Sequence, residues 1–504
     1  MSTRVSISPL TRVEGHLGIK VDVESNRVSR AFVAGEMFRG FEVILRGREP
    51  LDAQHITQRI CGVCSVEHGM ASILAQEMAF KAAVPDNARI ARNLILAANF
   101  LASHITHFYL LSGPDFADVA MIESYQGNDR ALLDLKAWVK SQMDSKSVLP
   151  AAPLLPRYTA QYLQDREANF GLLRHYLDAL EMRSLAQKIA AEFAGKMPHA
   201  SSLVAGGITD RISARKLAAY RDGLLQILDF IREAYLPDVA AAAKAFPEYF
   251  SVGRGNENFL AYGAFPEAQG NSAKLMPGGV LMDDALQTLD PEAITEDVAK
   301  SYFSSASRRK PYDGETVAAP DKAEAYSWLK APRYQGKPME VGPLARVLVA
   351  YRQPGTTALK TAVDGLLKTL GRQPRDLVSV MGRHAARALE SQLLAERCLA
   401  WLDQLDPGAP AFTDFETPDS ARGFGLTEAA RGALGHWLET KDGKIANYQC
   451  VVPTTWNCSP QDDQGQAGPL EQALVGTPIA DPANPIEAAR VVRSFDPCLA
   501  CAVH

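Results

Sequence analysis

The chain has 504 residues, 47% of them hydrophobic, enough to bury a large core without a metal or disulfide staple. A formal charge of −5 with no run of like charge excludes the basic face that nucleic-acid binding requires, and seven cysteines are too few and too odd a number for a secreted disulfide framework. The first residues, Met1 to Ile7, hold no apolar signal core, and no run of about 18 apolar residues occurs, so neither a signal peptide nor a membrane span is predicted.

In chain order, residues 17–36 alternate through Ile19, Val21 and Val23, then Val28, Ala31 and Val33, around Glu24-Ser25-Asn26. That is a hairpin pattern, within an N-terminal β region of about 4–36. Pro85-Asp86-Asn87 supplies the start of a helix running through Ile90, Leu94, Ala98, Leu101 and Ile105. Apolar recurrence at three and four residues predicts further helices over about 170–194, 212–235, 357–370 and 376–404, with Met197-Pro198 closing off the first of these four. Residues 246–345 are richer in Gly and Pro and weakly periodic, an irregular or partly stranded insertion. Ile445 to Val452 reads as a buried strand. The expected fold class is α+β and predominantly α, a multihelical core with smaller β elements near the N-terminus and before the C-terminal motif. No repeat or polar linker divides the chain, so residues 1–504 are expected to form a single interwoven unit.

The chemistry lies at the two ends. Arg59-Ile60-Cys61-Gly62-Val63-Cys64 and Asp496-Pro497-Cys498-Leu499-Ala500-Cys501 each carry a C-x-x-C pair, followed by His68 and His504. Two such pairs make a four-sulfur site suited to soft, late transition metals. Zinc ribbons keep their ligand pairs roughly 12–20 residues apart; here 433 residues separate Cys64 from Cys498. A chain with its own large core needs no zinc knuckle, so the metal is expected to serve chemistry. Thioredoxin-like redox chemistry would need a βαβ setting that neither pair has.

These motifs resemble those of the large, catalytic subunit of nickel–iron hydrogenases. The resemblance runs along the chain through Leu10-Thr11-Arg12-Val13-Glu14-Gly15-His16, Phe38-Arg39-Gly40-Phe41-Glu42, Ser103-His104 with His107-Phe108-Tyr109, Met197-Pro198-His199, Arg431-Gly432-Ala433-Leu434-Gly435-His436 and Val452-Pro453-Thr454-Thr455-Trp456-Asn457. In length and flanking residues the chain looks most like the selenium-containing branch, with Cys498 at the selenocysteine position. It departs from the family's usual Ala-Pro-Arg at Ala429-Ala430-Arg431, where alanine leaves φ unfixed.

The resemblance implies the fold of those subunits and the cleavage and formation of dihydrogen at a buried nickel–iron centre. Cys61 and Cys498 would be terminal nickel ligands; Cys64 and Cys501 would bridge to an iron bearing carbon monoxide and cyanide. Four thiolates make an electron-rich centre, and a sulfur beside it can accept the proton of heterolytic cleavage. Glu14 matches the first proton-relay carboxylate, and Glu42, His504 and the carbonyl of Cys450 match ligands of a magnesium or iron ion. Arg431 would overhang the open metal position, backed by Asp115 and Asp496; Thr454 would donate to a cyanide, and His68 would hydrogen-bond the Cys64 sulfur. His104 and His107 read as core residues.

Only Cys398, Cys450 and Cys458 remain, in no iron–sulfur spacing, and no dinucleotide fingerprint is present. An obligate small subunit holding iron–sulfur clusters is therefore expected. The resemblance also implies nickel-insertion proteins, a maturation endopeptidase cutting after His504, and export to the periplasm with the small subunit; a cytoplasmic location is the alternative. A hydrogen-sensing or cofactor-reducing subunit shares the fold and is the competing reading. A quinone-site subunit of the complex-I type does not carry the four cysteines.

Overall fold

The computed structural model describes residues 2–145, 162–268 and 273–504. Helix dominates over strand, as expected, and both chain ends fold into the same region.

Strands Thr3–Ile7, Leu17–Glu24 and Arg27–Gly35 form an antiparallel sheet in that order, with Val5, Ile19, Val21 and Val33 buried on one face. Helix Asp86–Thr106 runs through the centre of the main hydrophobic cluster, and Ile90, Leu94, Leu101 and Ile105 are buried as the periodicity requires. Its predicted cap is different. Pro85 precedes it without a side-chain cap, and Asn87 instead donates to the carbonyls of Asp406 and Ala409, tying the helix start to a distant loop. From Asp86 to Asp115 this segment is long and apolar enough to cross a membrane, but 83% of its most apolar window is buried inside the molecule, where it is the core helix.

Helix Arg166–Ala194 begins earlier than the apolar pattern suggests, because Asp165 accepts from the amide of Ala168 and caps it. Helix Ala214–Phe230 continues through a π turn, Ile231–Tyr235, into Leu236–Ala245. Pro237 has no N–H to give the preceding turn, which accounts for the widening before it. Helices Thr357–Leu370 and Val380–Leu402 follow, the second started by Ser379, whose hydroxyl accepts from Gly382 N. Within 246–345, residues 269–272 lie outside the described residues; the others form short strands and single 3-10 turns, and Pro343–Arg352 opens the next helix.

A helix and a sheet position the site, and of these the sequence pattern reveals only the last strand of the sheet. Helix Ser65–Phe80 starts directly after Cys64. Strands Ala421–Ala429, Gly432–Lys441 and Lys444–Val451 form an antiparallel sheet in that order, and the first of these lies against the helix. The approach is too close for any side chain: a Cβ on Gly425 would stand 2.0 Å from the carbonyl oxygen of Ala71, and one on Gly423 2.2 Å from that of Ala75. The two glycines thus let the strand leading to Arg431 pack on the helix that carries Cys64 at its N-terminus.

Candidate metal centre

Cys64 sits at the N-cap of helix Ser65–Phe80; hydrogen bonds from Cys498 and Cys501 pull its thiol down, but burial together with the charge of Cys61 holds it up despite the helix terminus. The Cys61 sulfur accepts from the amides of Val63 and Cys64, at 3.3 and 3.4 Å, which folds the C-x-x-C turn around it. The C-terminal pair is brought in by a backbone clasp. Glu14 forms an isolated parallel bridge with Cys498, and Leu499 N donates to the Glu14 carbonyl at 2.8 Å. Gly15 completes it, since a Cβ there would lie 2.7 Å from Cβ of Leu499.

The four sulfurs lie within 4.8 Å of one another and all four residues are buried. Cys498 Sγ is 3.0 Å from that of Cys501, 3.4 Å from Cys61 and 3.8 Å from Cys64. Burial pushes the thiols of Cys498 and Cys501 well up, whereas hydrogen bonds from the other three thiols hold Cys61 well down. Four thiolates cannot coexist here without a cation, and a quartet of soft donors at this spacing fits a late transition metal.

Glu14 Oε2 accepts from Cys498 Sγ at 3.1 Å and from Ala500 N at 2.8 Å. Burial, then the charge of Cys61, raises its carboxyl above the usual range. Arg431 points Nη1 at Cys64 Sγ, 3.3 Å away, and at Ser103 Oγ, 3.2 Å away. Its Nη2 makes a 3.0 Å ion pair with Asp496 Oδ1, at an angle that is not that of a hydrogen bond. Burial opposes the Arg431 charge, but Asp496 and the cysteine sulfurs outweigh it and hold the guanidinium firmly protonated. Thr454 Oγ1 accepts from Cys498 N at 2.9 Å, leaving its own hydrogen to donate.

Two expected roles do not hold. Asp115 does not back Arg431: it is fully engaged with Arg12 and with Arg493, whose Nη1 lies 2.7 and 2.8 Å from its two oxygens. His68 does not reach the Cys64 sulfur; its Nδ1 faces His436 Nε2 at 3.1 Å, and burial pushes the ring down to about 3, so it is neutral. The helix explains this, because i to i+4 spacing puts the His68 amide on the Cys64 carbonyl and turns the ring toward strand Gly432–Lys441. Glu67, which the sequence reading passes over, is fully buried beside these groups, and burial pushes its carboxyl up to about 7.

A second cluster joins Glu42, Cys450 and His504. Glu42 Oε1 accepts from Cys450 N at 2.8 Å and lies 3.2 Å from His504 Nε2, while His504 Nδ1 is 2.7 Å from the Cys501 carbonyl. Cys450 was singled out for its carbonyl; its thiol also lies within 4.8 Å of the Glu42 and His504 donor atoms. Lys330, buried, contacts Glu42 Oε2 at 3.1 Å, Gln449 Oε1 at 2.8 Å and Glu296 at 3.4 Å. Burial alone would raise Glu42, but Lys330 and His504 hold it well below the usual carboxylate range, so a permanently ionised oxygen is available to a cation. Lys330, Glu296 and Thr316, which also donates to Glu42, come from the irregular segment, where no periodicity distinguishes inward residues.

The family model described as nickel-dependent hydrogenase matches residues 39–504, and one described as HoxL-like matches residues 4–34. The periplasmic NiFeSe hydrogenase large subunit of Desulfomicrobium baculatum is 42% identical over 520 residues, covering 99% of this chain and 95% of that protein. The hydrogenase-1 large chain of Escherichia coli is 36% identical over 566 residues, covering 99% and 95%. Among solved structures, the H2-activated NiFeSe hydrogenase of Desulfomicrobium baculatum superposes with a TM-score of 0.88 at 42% identity, and that of Desulfovibrio vulgaris Hildenborough in the reduced state with 0.89 at 40%, each covering both chains completely. Likeness of this extent, passing through both cysteine pairs that the fold draws together, means that the chain belongs to the nickel-dependent hydrogenase family and is the large subunit of an oxidoreductase.

Proposed function

We propose that the chain catalyses the heterolytic cleavage and formation of dihydrogen, H2 giving two protons and two electrons, at a nickel–iron centre held by Cys61, Cys64, Cys498 and Cys501. In this reading Cys61 and Cys498 would hold the nickel, and Cys64 and Cys501 would hold both the nickel and an iron that carries carbon monoxide and cyanide. When bound, the metal pair supplies the site at which dihydrogen is polarised and the store for its two electrons. The observation that carries the proposal is the convergence of four buried sulfurs from the two ends of the chain, with a carboxylate on one of them.

The protein groups then have definite tasks. The Cys498 sulfur takes a proton and hands it to Glu14 Oε2 across 3.1 Å, within direct transfer distance. Because burial raises Glu14, it is a better acceptor than an exposed glutamate, and it opens onto a cavity of about 480 Å³ shared with Ser103 and Arg431. Arg431 brings a fixed positive charge beside the sulfurs, suited to polarising dihydrogen and holding a cyanide. The free Thr454 hydrogen suits the other cyanide.

Glu42, His504 and Cys450 are assigned to magnesium or iron, with Lys330 fixing the carboxylate. Electrons leave to an iron–sulfur small subunit: the other cysteines, Cys398, Cys450 and Cys458, are buried and make no third cluster among the described residues. Met37, Val43, Ile44 and Leu51, four large apolar side chains exposed in one short stretch around Glu42, suit coverage by such a partner. With all seven cysteines buried, metal must be loaded before the site closes, which is the task assigned to nickel-insertion proteins and a maturation endopeptidase. Periplasmic location, by export with the small subunit, follows the Desulfomicrobium relative, which is named periplasmic. Nickel analysis of the purified assembly tests the ligand set. One nickel per chain is expected, and none in Cys61→Ser; nickel retained in full by Cys61→Ser would contradict it.

A further inference from the structure

Arg431 has to deliver its guanidinium to within 3.3 Å of a cysteine sulfur from the two-residue turn Ala430-Arg431 between the paired strand ends Ala429 and Gly432, a turn in which no proline fixes φ. The peptide before it is nonetheless held from two sides. Arg346, itself locked between Glu390 (2.6 and 2.8 Å) and Glu428 (2.8 Å), donates to the carbonyls of Ala429 and Ala430, each at 3.0 Å. The remaining free group is the Ala430 N–H, and it donates to Glu67 Oε1 at 3.5 Å. That same oxygen accepts from Asn99 Nδ2 at 2.9 Å, so its position is fixed by the core helix Asp86–Thr106. Glu67 lies in the first turn of helix Ser65–Phe80, three residues after Cys64, is wholly buried, and its second oxygen has no partner. A buried carboxylate with one idle oxygen is costly to keep for packing alone.

We propose that Glu67 is a positioning residue for Arg431: by holding the Ala430 amide it couples the arginine's backbone to the helix that carries Cys64, so that guanidinium and sulfur are placed as one unit. This rests on the role given to Arg431 above. The geometry makes a distinctive demand. Proline at 430 would fix φ and remove the N–H, but its ring carbon would take the place of that hydrogen and run into Glu67 Oε1, so Ala430→Pro can supply what the Glu67 contact supplies only where Glu67 is shortened to alanine.

The test compares nickel-loaded heterodimers. Glu67→Ala is expected to lower the maximal hydrogen-oxidation rate roughly ten- to hundredfold, and to shift the infrared bands of iron-bound cyanide. Glu67→Gln, which keeps the accepting oxygen, restores both. The double variant Glu67→Ala with Ala430→Pro, in which the proline ring has room, recovers both as well. Glu67→Ala with unchanged rate and bands, or a double variant with the same loss as Glu67→Ala alone, overturns the proposal. Should Glu67→Ala load no nickel, the Ala430→Pro double variant decides: recovered loading supports the coupling, and continued failure overturns it. Arg431→Lys separates the two readings. A wild-type rate there removes the role of Arg431 itself, whereas a slow Arg431→Lys beside a silent Glu67→Ala removes only the inference.

Discussion

At the scale of single residues, the centre depends on a few groups whose neighbours set their charge. Glu14 is the clearest case: burial keeps it receptive to a proton, and the Cys498 sulfur stands 3.1 Å away. Glu14→Gln preserves size and hydrogen bonding but cannot take up a proton near neutral pH. Turnover with an artificial electron acceptor should fall at least about a hundredfold, in line with loss of a general base, while the metal centre still responds spectroscopically to hydrogen; unchanged turnover would remove Glu14 from the relay. The cysteines, Glu14, Glu42, Arg431 and His504 were all legible, because each lies in a motif whose residue types and order carry information. Asp115 and His68 were misread for a physical reason. Their partners, Arg493 and His436, are 378 and 368 residues away in sequence, and charge or ring pairing over such distances leaves no local pattern. Lys330 and Thr316, 288 and 274 residues from the Glu42 that they contact, were invisible for the same reason.

Among the elements, helices with clear apolar periodicity were legible to within a few residues, whereas strands Ala421–Ala429 and Gly432–Lys441 were not. Gly423, Gly425 and Gly435 interrupt the apolar alternation that would have announced them, and they do so because the backbone must approach a helix or a tryptophan ring. Helix Pro469–Leu474 shows how an element is pinned by one side chain. Glu471 is buried and accepts from Val33 N at 3.0 Å, Tyr326 OH at 2.8 Å and Gly468 N at 3.4 Å, joining this helix to the N-terminal sheet. Burial pushes its carboxyl up to about 7 from an ordinary 4.5. The folded state therefore holds this proton between those values and the unfolded state does not. The contribution is fully present below pH 4.5 and is lost as pH rises through 7. Glu471→Gln removes the linkage, worth roughly 3 kcal/mol at most. Thermal unfolding of wild type should weaken relative to Glu471→Gln between pH 5 and 8; parallel curves would show that Glu471 is ionised throughout.

For the whole molecule, the task is to close two ends of a long chain over one buried centre, and Asp115 is the charge at the closure. Arg12 from the N-terminal segment and Arg493 from helix Ile486–Ser494 both contact it, and Arg493 also donates to the carbonyl of Thr11 at 3.1 and 3.0 Å. Burial would raise this carboxyl, but Arg12 and Arg493 hold it below the usual range. Asp115→Asn removes the carboxylate that Arg12 and the buried Arg493 share and should cost about 3–5 kcal/mol, read as a lower urea midpoint; a cost under about 1 kcal/mol, typical of exposed pairs, would show that the clamp is not needed. Strands Leu17–Glu24 and Lys444–Val451 and the meeting of the two cysteine pairs were foreseeable from sequence, since a site shared by residues 61 and 501 demands it, but the charge that secures that meeting was not. The chemistry of the whole molecule turns on what the four sulfurs hold. Infrared spectroscopy of the purified assembly measures this most directly. The account predicts bands from iron-bound carbon monoxide and cyanide that shift when hydrogen is admitted; a spectrum without such bands, from protein carrying tetrahedral zinc on the four cysteines, would contradict it.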